Sequence, residues 1–121
     1  MRPSFAPLVA ATLWLMTEPA VADGDAVRGE ELYNSRCIAC HSPDVNRVGP
    51  RHRGVLGRQA GSLADFNYSE AVRNSGIIWD EQTLGRWLAN PQAFIPGQRM
   101  NFRFAVPQDR ADIIAYLKTL K

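Results

Sequence analysis

The sequence predicts an all-α domain whose helices are joined by long loops. Its main segments have apolar residues at helical spacing with polar capping residues at their ends, and no segment alternates like a β-strand. At 121 residues, 45% hydrophobic and 21% charged, the chain has the size and composition of one globular domain. Its formal net charge of +2 argues against a dedicated nucleic-acid binder, which usually is strongly basic.

Residues 1–22 predict a secretory signal peptide rather than part of the fold. Arg2 precedes an uncharged, largely apolar stretch at positions 3–17, and Ala20-Val21-Ala22 supplies the small-residue cleavage pattern. Cleavage before Asp23 would leave a mature domain at 23–121. Because the apolar stretch is shorter than the ~18 residues that a spanning helix needs, we expect export to a periplasm, with an uncleaved membrane anchor as the alternative.

The mature part predicts three main helices and one short one. The first covers residues 25–36, and a short helix from Ser69 to Ser75 ends at Gly76. Asp80 caps the next helix, which Asn90-Pro91 ends. The last helix begins near Pro107, because proline is tolerated in a first helical turn.

Two stretches of the mature part predict loops. Residues 42–62 are rich in Gly, Pro, Ser and Arg, and residues 92–106 are anchored by scattered aromatic and apolar side chains. Loops that long in a small domain need something to wrap around.

The pentapeptide Cys37-Ile38-Ala39-Cys40-His41 carries the chemistry. This C-x-x-C-H spacing is the attachment pattern of c-type haem, in which two thiols form thioethers and the histidine binds the iron. A thioredoxin-like dithiol would follow a buried strand, and a zinc site would need four ligands. A structural disulfide would leave His41 unexplained. The sequence therefore predicts one haem c per chain, held covalently by Cys37 and Cys40 with His41 as an iron ligand.

The second axial ligand is expected to be Met100. It is the only methionine of the mature part and it follows a Pro96-Gly97 turn. A thioether sulfur is a soft ligand that raises the reduction potential of haem iron. The competing ligand is His52, which stands between two arginines and is interpreted as an exposed loop residue.

The mature chain resembles a class I c-type cytochrome, of the bacterial branch similar to mitochondrial cytochrome c. The resemblance runs from Gly29 to Leu120, and its motifs include Gly29-x-x-x-Tyr33-x-x-x-Cys37, Val48-Gly49-Pro50, Ile95-Pro96-Gly97-x-x-Met100 and Ile113-Ile114-Ala115-Tyr116-Leu117. It implies the cytochrome c fold, in which the first and last helices cross and long loops surround one covalent haem.

The resemblance also implies roles for individual residues. Gly29 and Tyr33 should pack against Ile113 and Tyr116 where the two helices cross. The carbonyl of Pro50 should accept a hydrogen bond from His41 Nδ1. The donors that hold the haem propionates should be Arg58, Tyr68 and Trp79.

Three features depart from the family pattern. Trp87 stands where many relatives have a tyrosine near the methionine sulfur, and His52 replaces a commonly apolar residue near the haem. Lysines are scarce, so the candidates for a positively charged docking surface are Arg36, Arg99 and Arg103.

These observations predict a soluble, monomeric one-electron carrier and not an enzyme, because an iron bound on both axial sides has no open position for a substrate. Partners would be redox proteins such as membrane cytochrome complexes or terminal oxidases, docking by complementary charge. Two alternatives stay open at this point: a dedicated haem subunit of a dehydrogenase or oxidase complex, and a peroxidase or gas sensor with a labile Met100.

Overall fold

The structure, a computed structural model, describes residues 1–7, 10, 13–15 and 22–121. Part of the predicted signal peptide, including Ala20-Val21 of its cleavage pattern, lies outside the described residues, so the signal peptide stays a prediction. Within the described ranges, no helix is long and apolar enough to cross a membrane.

The described part of the chain contains helices and no sheet. The helices are α1 (Ala26–Arg36), α2 (Glu70–Arg73), α3 (Glu81–Ala89), α4 (Pro91–Phe94) and α5 (Pro107–Thr119). A single antiparallel bridge joins Gln59 to Ile78. The predicted all-α class is confirmed.

Side-chain caps explain where the helices α1 and α3 begin. The Asp25 carboxylate accepts from the amides of Val27 and Arg28, so α1 begins at Ala26. Asp80 and Thr83 form a capping box at the start of α3, in which the side chain of each residue accepts a hydrogen bond from the backbone amide of the other. These local bonds satisfy amide groups that have no partner inside the helix.

The helix α4 differs from the prediction, which treated residues 92–106 as a continuous loop. Asn90 ends α3 as predicted, but its side chain also accepts from the amide of Ala93 and caps a second, short helix. Pro91 occupies the first position of α4, where its missing amide proton costs nothing. One Asn-Pro pair therefore ends one helix and begins another.

The helices α1 and α5 cross in close contact at Gly29. A Cβ atom at Gly29 would lie 1.9 Å from the carbonyl oxygen of Asp112, so only glycine fits. Tyr33, one turn further on, is fully buried and its ring lies 5.1 Å from that of Tyr116. The predicted crossing of the first and last helices is confirmed.

An ionic cluster closes the N-terminal end of this crossing. Arg28 of α1 donates to both Asp109 at 2.7 Å and Asp112 at 2.5 Å on α5. Asp112 also accepts from the Asp25 amide at 2.8 Å and from the Gln108 side chain at 3.0 Å. A buried carboxylate with this many donors is satisfied rather than costly.

The apolar core lies between α1, α3 and α5 and continues into the loops. Its buried members include Leu32, Tyr33, Leu84, Leu88, Ile113, Ile114 and Leu117. Partly buried residues that bear on function, among them Cys37, Trp87 and Met100, pack against this core. The core is thus continuous with the wall of the cavity described next.

Candidate haem site

A cavity of about 470 Å³ lies between the loops. Its volume falls in the usual range of roughly 300–1,000 Å³ for ligand and cofactor sites. Seven of the eight predicted site residues line it: Cys40, His41, Pro50, Arg58, Tyr68, Trp79 and Met100. Cys37, the eighth, is half-buried beside the core at the end of α1.

The C-x-x-C-H segment folds as a turn that follows directly from α1. The amides of Cys40 and His41 both donate to the carbonyl of Cys37, at 3.1 and 2.8 Å. Both cysteines are free, and Cys40 is exposed. Burial raises the pKa of the Cys37 thiol to about 11, so this thiol is protonated at neutral pH.

The His41 ring is oriented by its neighbours. Its Nδ1 donates to the carbonyl of Pro50 at 2.8 Å, so Nε2 keeps its lone pair for a ligand. Burial lowers the pKa of His41, and the Pro50 bond offsets part of that effect. A Cβ atom at Gly49 would lie 2.1 Å from Cε1 of the same ring, so glycine is needed there for the imidazole to fit.

The prediction that His52 is an exposed loop residue is wrong. Its ring stacks on that of His41 with centroids 4.1 Å apart and planes 22° apart, and its Nδ1 lies 2.9 Å from the Tyr33 hydroxyl. The amide of His52 donates to the Ser42 carbonyl at 3.1 Å, which ties the middle of the loop at residues 42–62 to its beginning. The contacts of His52 with His41 and Tyr33 join residues that are distant in sequence, so the flanking arginines did not predict its environment.

The stacked arrangement also bears on ligation. Two ligands on opposite sides of one metal ion point at each other and cannot lie face to face. The His52 ring lies on the face of the His41 ring, so His52 is not positioned to bind the same metal ion from the side opposite His41. Met100 remains the candidate for the second ligand.

Met100 is half-buried at the end of a well-tied loop. Gly97 has φ +93°, a conformation that favours glycine. The Gln92 side-chain oxygen accepts from the Gly97 amide at 3.4 Å and from the Gln98 side chain at 3.3 Å. Sequence analysis missed these two glutamines, because nothing in their spacing indicates that they meet.

The three candidate propionate donors all line the cavity, and Tyr68 keeps a free donor. The Tyr68 hydroxyl accepts from the Leu63 amide at 3.4 Å, which leaves its proton free to donate. The Arg58 guanidinium donates to the carbonyls of Arg51 at 2.7 Å and Arg53 at 2.5 Å, and burial lowers its pKa. Trp79 is buried.

Trp87 lies beside this wall. It lines the cavity together with Met100, and its ring centroid is 5.4 Å from that of Trp79. An indole donates one hydrogen bond and accepts none, so it cannot replace a tyrosine hydroxyl in both roles.

The residues present fit a covalently bound haem. The cavity combines an imidazole with a free Nε2, a thioether, the thiol of Cys40 and donors suited to carboxylates. Its remaining wall is mostly apolar, with Val55, Val72, Leu84 and Phe102 among its members. Soft and imidazole ligands in an apolar setting are the donor set by which proteins hold haem iron.

Comparisons with known proteins agree with this site. The family model described as cytochrome c matches residues 26–121. The cytochrome c2 of Rhodomicrobium vannielii is 46% identical over 114 residues, covering 91% of this chain and 89% of that protein. The cytochrome c of Euglena viridis is 45% identical over 101 residues, covering 81% of this chain and 99% of that protein. The solved structure of cytochrome cH from Methylobacterium extorquens superposes with a TM-score of 0.75 at 45% identity, covering 79% of this chain and 99% of that one.

Proposed function

Because this chain belongs to the cytochrome c family and has its fold, we propose that it carries single electrons on one haem c, held through Cys37 and Cys40 and ligated by His41 and Met100. Members of this family carry electrons and are not enzymes. We propose in addition that the haem is attached covalently, that the protein is exported and that its partners are redox proteins.

The observation that carries the proposal is the meeting of the C-x-x-C-H turn and the Met100 loop at one cavity. Haem bound there supplies a one-electron ferric/ferrous couple. The protein's part is to hold the imidazole by the Pro50 carbonyl and to present the Met100 sulfur. Its apolar wall excludes water, and a low-dielectric setting with a thioether ligand favours the ferrous state.

Covalent attachment is tested by acid-acetone extraction of protein made in an exporting, maturation-competent cell. Cys37 and Cys40 would hold the group by adding each S–H across a haem vinyl group, an addition that consumes no oxidant and releases nothing. One haem per chain should therefore stay with the protein. Cys37→Ser/Cys40→Ser, the matched control, should release all of its haem. Complete extraction from the unaltered protein would contradict the proposal.

The ligand pair is tested by the weak near-red absorption band of sulfur bound to ferric iron. Met100→Ala should abolish this band and open the iron to cyanide and carbon monoxide. His52→Ala is the control and should keep the band. The assignment is wrong if His52→Ala loses the band and Met100→Ala keeps it. Strong carbon monoxide binding by the unaltered ferrous protein would instead indicate a sensor or peroxidase.

The proposed docking surface contains three arginines, of which Arg99 lies at the cavity. Arg99 lines the cavity and donates to the Asn67 carbonyl at 3.2 Å, and Arg103 is exposed. Arg36 lies 3.6 Å from Asp109, so part of its charge is already balanced. We expect Arg99→Glu and Arg103→Glu to slow electron transfer to an acidic redox partner at low salt, whereas Lys121→Glu should not. Equal slowing by all three would indicate an effect of net charge alone.

The site of action proposed is the periplasm, reached through a signal at 1–22. Cell fractionation followed by N-terminal sequencing tests this, with a new N-terminus at Asp23 expected. Recovery in the membrane with the N-terminus intact would support the uncleaved anchor. Stable co-purification with a larger redox protein would identify a dedicated subunit instead of a freely diffusing carrier.

A further inference from the structure

The His52 side chain is held from two sides although it makes no contribution to the proposed ligation. Its Nδ1 is 2.9 Å from the hydroxyl of Tyr33, which is fully buried in the α1–α5 crossing. Its ring also meets the Tyr33 ring edge-on, with centroids 5.5 Å apart. One side chain thus connects the buried α1–α5 crossing to the face of the His41 ring.

The direction of the Tyr33–His52 hydrogen bond follows from their surroundings. A buried hydroxyl proton needs an acceptor, and among the described residues the only partner of the Tyr33 hydroxyl is His52 Nδ1. Tyr33 therefore donates, and His52 carries its proton on Nε2.

The backbone around His52 is tied as firmly as its side chain. The Arg58 guanidinium donates to the carbonyls of Arg51 and Arg53, the two residues that flank His52. The His52 amide donates to Ser42, directly after His41 in sequence. The ring therefore has little freedom to leave its stacked position.

We propose that His52 is a positioning residue for His41, its ring tethered by Tyr33 and laid on the His41 face so that the ligand imidazole keeps one orientation. The inference rests on the proposed function, in which His41 binds the iron. The Pro50 bond holds the His41 ring at one atom of its edge and leaves it able to tilt about that edge. A flat ring 4.1 Å from its face blocks that tilt.

Three variants of the complete holoprotein separate positioning from simple packing. His52→Leu removes both the flat ring and the tether, His52→Phe keeps a flat ring without the tether, and Tyr33→Phe removes only the tethering hydroxyl. The readout is the proton NMR spectrum of the ferric protein, because the order and spread of the four haem methyl resonances depend on the plane of the ligand imidazole. The thermal midpoint is recorded separately.

The methyl pattern should shift most in His52→Leu, and in the same direction but less in Tyr33→Phe and His52→Phe, which both keep a flat ring and lose the tether. The inference is overturned if the His52→Leu pattern superposes on that of the unaltered protein while only its thermal midpoint falls. It is also overturned if His52→Phe shifts as far as His52→Leu, since the flat ring would then be irrelevant.

The same spectra distinguish this inference from the ligand assignment. If the unaltered protein lacks the near-red sulfur band, the proposed ligation fails whatever the variants do. If all four proteins keep that band and their methyl patterns coincide, only the positioning role of His52 fails. If one variant does not fold, the other two still decide, because His52→Leu loses both features whereas His52→Phe and Tyr33→Phe each lose the tether and keep a flat ring.

Discussion

Replacing Gly29 by alanine tests the helix crossing on which the site depends. The added Cβ would lie 1.9 Å from the Asp112 carbonyl oxygen and 2.9 Å from the Tyr116 Cβ. Both obstacles belong to a helix and not to the flexible end of a side chain. Side-chain rotation cannot relieve the clash, so α1 and α5 must move apart.

The size of the effect is the balance of two terms. Contacts of a Cβ below 3.0 Å are essentially never found, so the crossing must open by about 1 Å. Forcing extra volume into a packed interface costs about 1–3 kcal/mol, and a backbone obstacle places this site at the upper end. Alanine regains about 1 kcal/mol of helix propensity. The net loss should be about 2 kcal/mol, or a fall in Tm of roughly 10 °C for a domain of this size.

Gly85→Ala is the matched control. Gly85 also lies inside a helix, α3, but a Cβ there would meet only the Ile114 side chain, at 3.9 Å. It should gain about 0.5–1 kcal/mol from helix propensity. Both variants are measured by urea and thermal unfolding of the oxidised holoprotein. If Gly29→Ala is as stable as Gly85→Ala, α1 and α5 do not approach each other closely enough at Gly29 to exclude a Cβ atom.

Other regions of the fold give three further predictions. Burial alone would raise the pKa of Asp112, but bonds from the Asp25 amide, Arg28 and Gln108 leave it lowered. Asp112→Asn should therefore be about 2 kcal/mol less stable at pH 7. In urea titrations the difference from the unaltered protein should shrink as the pH falls below the ordinary aspartate pKa of about 3.9, because the carboxylate is then protonated first in the unfolded chain and, at lower pH, in the folded protein. Asp80→Ala should cost about 1 kcal/mol by removing the cap of α3, whereas an unchanged urea midpoint would mean that water replaces the cap. At high pH the ferric protein should acquire no lysine ligand, because Lys118 is paired with Glu81 at the end of α5 and arginine keeps its proton; a lysine-type spectrum that vanishes in Lys118→Ala/Lys121→Ala would contradict this.

The C-x-x-C-H turn and most helix boundaries could be predicted from the sequence alone. The C-x-x-C-H pattern needs only residues three and four apart, which a single turn after α1 brings together. Caps such as Asp80 act within one helical turn, so neighbouring residues in the sequence are enough to predict them. The identity of Met100 as a candidate ligand followed from its being the only methionine after residue 22.

The environment of His52 was decided by the tertiary structure. Its neighbours in sequence are arginines, which favour an exposed loop, but its neighbours in space are His41 and Tyr33. The meeting of Gln92 with Gln98 and the cluster of Asp112 with Arg28 were equally hidden. Periodicity and capping report interactions within a few residues, whereas these contacts depend on how the loops close around the cavity and how α1 crosses α5. Local sequence therefore determined which groups are available to bind a haem, and long-range packing determined what holds each of them in place.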